Sequence, residues 1–165
     1  MKAKKTDPLM ISAIIQDLID LVEKGNAHAS LDHALEDMPF SLLGERPENL
    51  PYSVWQLADH IRIAQWDILE FCRDAKHLSP KWPDGYWPKE TAPESPGDWQ
   101  KCINTIKTDR KTFIELIKNA GDALVIPFEY GSGQSLFKEA LVLADHNSYH
   151  SGEIIILRRL LKVWN

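Results

Sequence analysis

Apolar residues recur at three- and four-residue intervals in four separate stretches of the chain. No alternating run between them is long enough to supply a sheet. Four helices with one apolar stripe each bury those stripes most simply against one another, so the fold class expected is all-α, a four-helix bundle. Residues 1–165 form a single domain on this reading, since the length suits one core. The first helix is announced by Asp7-Pro8, a cap followed by proline at the first helical position. Its stripe is Leu9, Ile11, Ile14, Ile15, Leu18 and Leu21 or Val22, and Gly25-Asn26 interrupts it. A shorter helical piece over 27–38 puts Leu31, Ala34, Leu35 and Met38 on one side, and Pro39 stops it.

The sharpest local signal follows. Ser53-Val-Trp-Gln56 is a capping box, with Tyr52 and Leu57 placed to staple it. The second long helix then runs to about Arg73, with Val54, Leu57, Ile61, Ala64, Ile68 and Phe71 as its stripe. Asp98 is the expected cap of the third, which runs to about Asn119 on Ile103, Ile106, Phe113, Leu116 and Ile117, with Arg110 among them. The last begins near Gln134 or Ser135 and ends near Lys162. Residues 124–128 read as extended and 130–133 as a turn. The connections are long enough to cross the bundle, so up-down-up-down order is not forced.

Between the second and third long helices lies a loop over 78–96 that holds five of the ten prolines, with Trp82, Tyr86 and Trp87. So long a loop in a small domain is either a packed crossover or a wall of a pocket. Lys and Arg number 19 against 24 Asp and Glu, a net charge of −5, whereas a duplex nucleic-acid binder carries a basic excess. No nucleic acid is therefore expected as partner. No membrane is expected either, because no apolar run approaches the roughly 18 residues of a span. The basic start has no long apolar stretch and no small-residue cleavage site, so the expected compartment is the cytoplasm. Cys72 and Cys102 form no CxxC pair and read as reduced, partly buried thiols.

The chemistry concentrates in the histidines. His146-Asn-Ser-Tyr-His150 places two imidazoles one turn apart on the last helix, in the stripe Leu143, His146, His150, Ile154, Leu157 and Leu161. Buried polar groups without partners cost about 1–3 kcal/mol each, so imidazoles on a core face need hydrogen-bond partners or a metal. His60 sits beside Leu57, Ile61 and Ala64 at the buried face of another helix. Two ligands one turn apart and a third from a facing helix can hold one divalent ion and leave positions open. The general-base glutamate of HExxH is absent, there is no Glu-x-x-His, and there is neither a Walker loop nor a GxGxxG. Gly131-Ser-Gly133 reads as a turn. Glu153, three residues after His150, is placed to orient an imidazole, be a fourth ligand, act as general base, or lie at the helix boundary. Asp67 points roughly inward or carries helix-face charge, Tyr149 flanks the pair, and His28, His33 and His77 read as surface or capping residues.

Two segments carry a resemblance. Ser53-Val-Trp-Gln-Leu-Ala-Asp-His60-Ile and Ala144-Asp-His146-Asn-Ser-Tyr-His150-Ser-Gly152-Glu-Ile, with Leu157-Arg-Arg-Leu behind it, resemble the histidine segments of the DinB/YfiT-like superfamily of metalloenzymes. (This is not the polymerase that shares the DinB name.) The Trp-Pro-Asp-Gly-Tyr-Trp-Pro loop and the terminal Val-Trp are similar to one subgroup. The resemblance implies a bundle in up-down-down-up order and one divalent transition metal, Zn, Ni, Fe or Mn, on His60, His146 and His150. It also implies a homodimer and a small-molecule substrate. Relatives include thiol-dependent transferases and isomerases that use low-molecular-weight thiols. The chain departs from the family at Glu153, where Gln is common. The expected function is thus a metal-dependent S-transferase or hydrolase, with a non-catalytic metal or small-ligand binding module, or a dimeric interaction domain, as the alternative.

Overall fold

The computed structural model describes residues 8–47 and 50–164, so the Asp7 cap and the basic start lie outside the described residues. Among the described residues the protein is all-helical and has no strand. The described residues form five α-helices: α1 (Pro8–Lys24), α2 (Leu31–Leu35), α3 (Val54–Arg73), α4 (Pro96–Asn119) and α5 (Leu136–Leu160). α3 packs on α4 and α5, α1 packs on the same two helices, and α2 rests on α5.

The local causes are legible. Ser53 accepts from the Gln56 amide while the Gln56 side chain accepts from the Ser53 amide, the reciprocal pair that fixes where α3 begins. The same Ser53 hydroxyl donates to the Thr91 carbonyl at 2.5 Å, so the cap also ties down the end of the long loop. α2 is shorter than the sequence suggests. Ser30 caps it, and the left-handed backbone of Asn26 (φ 44°) and Asp37 (φ 52°) bounds the segment, but Leu31, Ala34, Leu35 and Met38 are all buried as expected. α4 begins earlier than expected. Ser95, not Asp98, is its cap; Ser95 accepts from the Asp98 amide and donates to the Asp98 carboxylate at 2.7 Å. Its buried face is also rotated, with Cys102 and Ile114 inside and Ile103 and Leu116 at the edge. The expected extended stretch over 124–128 begins late: a 3₁₀ turn over Gly121–Val125 takes in Leu124, which turns in to the core, and the backbone is extended at Ile126.

The core falls into two apolar clusters. One gathers Leu35, Leu43, Leu57, Ile61, Ile106 and Ile154; the other gathers Leu18, Leu69, Phe113, Ile117, Leu124 and Leu143. Along α3, α4 and α5 the residues between these clusters are polar and buried: Gln65, Arg110, Asn147 and His150. Gln65 donates to the Ile106 carbonyl at 2.6 Å and accepts from Asn147 at 3.4 Å, which joins the three helices at this level. A fully buried amide needs such partners. At the far end Arg158 donates to the Ala34 and Val163 carbonyls, and its guanidinium lies 5.0 Å from the Trp164 ring.

Candidate metal centre

α3 and α5 bring His60, His146 and His150 to one point. One ligand atom from each lies within 4.8 Å of the others. His60 and His150 are buried, and His146 is half-buried. The Nε2 atoms of His60 and His146 are 3.0 Å apart. Two nitrogens at about 2.05 Å from a tetrahedral zinc ion are separated by about 3.3 Å, so a small inward or outward shift suffices to admit one.

The outer nitrogens fix how two of the rings face inward. His60 Nδ1–H donates to the Tyr86 carbonyl at 2.8 Å, and His150 Nδ1–H donates to Glu153 Oε2 at 2.6 Å. Each ring then presents the lone pair of Nε2 to the site, the arrangement that ligating imidazoles need. His146 Nδ1 is buried without a partner, and among the described residues it is one of four such side-chain atoms. Burial pushes His146 and His150 down to about 4, with the neighbouring imidazoles adding to the effect, and burial also lowers His60. All three rings are therefore neutral at pH 7 and need shed no proton to bind a cation. The donor set and its protonation fit a divalent transition ion.

Glu153 is raised by desolvation, which makes it more basic than a surface carboxylate. Its position on His150 Nδ1 is that of an orienting acceptor, one of the roles its spacing suggested.

The long loop supplies a wall. Trp87 stacks on His60 at 3.9 Å between centroids and on Tyr52 at 4.0 Å, with both pairs near parallel. The loop is held close by small residues: a Cβ at Gly44 would lie 2.7 Å from Ala92. The cavity over the histidines has a volume of about 490 Å³ and is bordered by Trp82, Tyr86, Trp87, Tyr149 and Glu153. Trp82, Tyr86 and Trp87 of this loop border the cavity, and Trp87 also packs on the first apolar cluster.

One part of the site was misread from sequence. His77 is neither a surface nor a capping residue. Its Nε2–H donates to Asp67 Oδ1 at 2.7 Å, and the Tyr86 hydroxyl donates to Asp67 Oδ2 at 2.6 Å. Asp67 is buried on α3 and latches the loop that carries the Tyr86 carbonyl under His60. Asp67 lies seven residues beyond His60, which was the available signal; the partners come from a loop with no periodicity. His28 and His33 are exposed as expected. The two thiols are free and held protonated by burial, with Cys102 pushed up to about 12 and Cys72 also raised. The 130–133 segment is a turn as expected, and the N-terminus of α5 behind it is capped by Ser135.

The family model for the DinB superfamily matches residues 26–154, which takes in all three histidines. The chain belongs to the DinB superfamily. No curated protein and no solved structure matches it. No described helix is long and apolar enough to cross a membrane.

Proposed function

We propose that this DinB-superfamily chain is a metal-dependent enzyme, with His60, His146 and His150 as the ligands of one divalent transition ion. The observation that carries the proposal is the convergence of three neutral imidazoles within 4.8 Å, at the floor of a walled cavity. A bound ion would supply the Lewis acidity that makes a weak nucleophile effective at neutral pH. The chain's own residues do the rest. The Tyr86 carbonyl and Glu153 hold two imidazoles in the ligating tautomer. Glu153, half-buried and raised by desolvation, is placed to take a proton at Oε1 from a nucleophile entering the cavity. Trp82, Trp87 and Tyr149 border its mouth. Both reaction types expected from sequence, thiol-dependent S-transfer and hydrolysis, use these parts, with a small molecule as substrate and Zn, Ni, Fe or Mn as the ion.

The packing of α1 and α3 each against α4 and α5 supports a single bundle domain, for which up-down-down-up order is part of the proposal. The exposed apolar side chains Val142, Ile156 and Leu160 on α5 support a homodimer. A cytoplasmic location remains part of the proposal.

The test is metal content by mass spectrometry of untagged protein beside the His60→Ala/His150→Ala double variant. About one ion per chain, absent from the variant, is the expected result. Absence of metal after incubation with zinc, nickel and manganese overturns the proposal. Loss of turnover in His146→Ala with the fold retained separates an enzyme from a binding module.

A further inference from the structure

Resting on the metal reading above, we infer that the substrate of this cavity has a flat, uncharged body. Among the described residues that line the cavity there is no Lys or Arg. Lys81 and Lys89 lie on the same loop but are exposed and outside the lining. The charged side chains that do line it are two carboxylates, and both are already engaged: Asp67 by His77 and Tyr86, and Glu153 by His150. Two carboxylates balance the two positive charges of an ion on three neutral imidazoles. The centre is then close to neutral overall. A ligand with carboxylate or phosphate groups on its body would lose water in this cavity and find no cationic side chain in return.

The walls favour a flat ring. Trp87 is held between Tyr52 and His60, with interplanar angles of 11° and 1°, so neither of its faces is free. Trp82 and Tyr149 differ. They border the same cavity while 69% and 66% exposed. Trp82 touches Tyr86 in a tilted contact at 5.5 Å, and Tyr149 meets His150 edge-on at 4.9 Å. Each therefore keeps a ring face open to the mouth. Large aromatic surfaces left this open beside a cavity mark a place where a ligand stacks. Ala64 and Ile68 add apolar surface to the same lining.

Calorimetry of the zinc-loaded protein with three thiols that share one head group tests this. Phenylmethanethiol has a flat uncharged body, ethanethiol has no ring, and 3-mercaptopropionate carries an anion. Phenylmethanethiol is expected to bind at least tenfold more tightly than either of the others. Trp82→Ala or Tyr149→Ala is expected to lower that affinity at least fivefold, with ethanethiol unchanged and zinc content retained. Equal or tighter binding of 3-mercaptopropionate, or an advantage for the ring that survives both substitutions, overturns the inference and leaves the metal centre standing. A chain that takes up no zinc overturns both together.

Discussion

Asp67→Asn separates a structural latch from one that serves the metal centre. The carboxylate accepts from Tyr86 at 2.6 Å and from His77 at 2.7 Å, and it is only 8% exposed. An asparagine in its place has a single acceptor oxygen. Its amide nitrogen must face one of the two present donors, so one bond is lost or inverted and the other loses its charge assistance. A hydrogen bond to a charged group contributes about 1.5–3 kcal/mol, and water at the half-buried Tyr86 recovers part of the loss. The expected destabilisation is about 1–3 kcal/mol.

The consequence reaches further, because the Tyr86 backbone carbonyl accepts from His60 Nδ1 at 2.8 Å. A loop released at Asp67 lets that carbonyl move, and His60 loses the partner that fixes its tautomer. Substitutions behind a ligating histidine lower metal affinity about 10–100-fold. Because Asp67 acts at one remove, the low end applies, about tenfold or about 1.4 kcal/mol. Zinc competition against a chromophoric chelator at pH 7.5 reads the affinity, and guanidinium unfolding in EDTA reads the stability. Tyr86→Phe keeps the carbonyl and removes only the hydroxyl, so it should give a smaller loss in the same direction. If both variants unfold more easily yet hold zinc within twofold of the parent, the link from Asp67 to His60 does not exist.

Two other outcomes follow from the same geometry. Phe113 is fully buried in the second apolar cluster; Phe113→Ala should cost about 3–5 kcal/mol in denaturant unfolding, and a loss below about 1 kcal/mol would mean that the α1–α4 contact is not a packed core. In the metal-free protein burial holds His146 and His150 at about 4, below their ordinary value near 6.5. The unfolded chain then binds more protons between those values, so stability is full above about pH 6.5 and falls on acidification towards pH 4. Denaturation midpoints in EDTA that stay level from pH 7 to pH 4.5 would show that these imidazoles are not held neutral.

What the sequence revealed depended on periodicity. Helix spacing is set by the backbone, so α1, α3, α4 and α5 were all legible, and the capping box placed the start of α3 to the residue. Rotation about the helix axis was less legible, because a helix touched on several sides has no single stripe. On α5 the buried set includes Asn147, Ser151 and Arg158 beside Leu143, His150 and Ile154, whereas His146 lies at the edge. Asn147 and Arg158 find their partners on other segments, which no spacing rule encodes, while Ser151 donates back to the Asn147 carbonyl of its own helix. The three histidines stood out because polar groups were placed where periodicity required apolar ones. His77 did not, since its loop has no periodicity to violate.

The departure at Glu153 acquires a physical meaning from the same logic. A glutamine at this position could offer either its oxygen or its nitrogen to His150 Nδ1, and so would leave the tautomer open. A carboxylate only accepts, and at 2.6 Å it requires the proton on Nδ1. The Tyr86 carbonyl makes the same demand on His60, and it too can only accept. Two of the three imidazoles are thus committed before any ion arrives, both by groups that cannot donate. The uncommitted ring is His146, whose outer nitrogen has no partner and whose Nε2 faces that of His60 at 3.0 Å. In the absence of an ion the shared proton between those two nitrogens must sit on His146, since His60 already carries its own on Nδ1. An entering cation would therefore require one ring, His146, to move its proton from Nε2 to Nδ1, with no proton lost from the neutral imidazole.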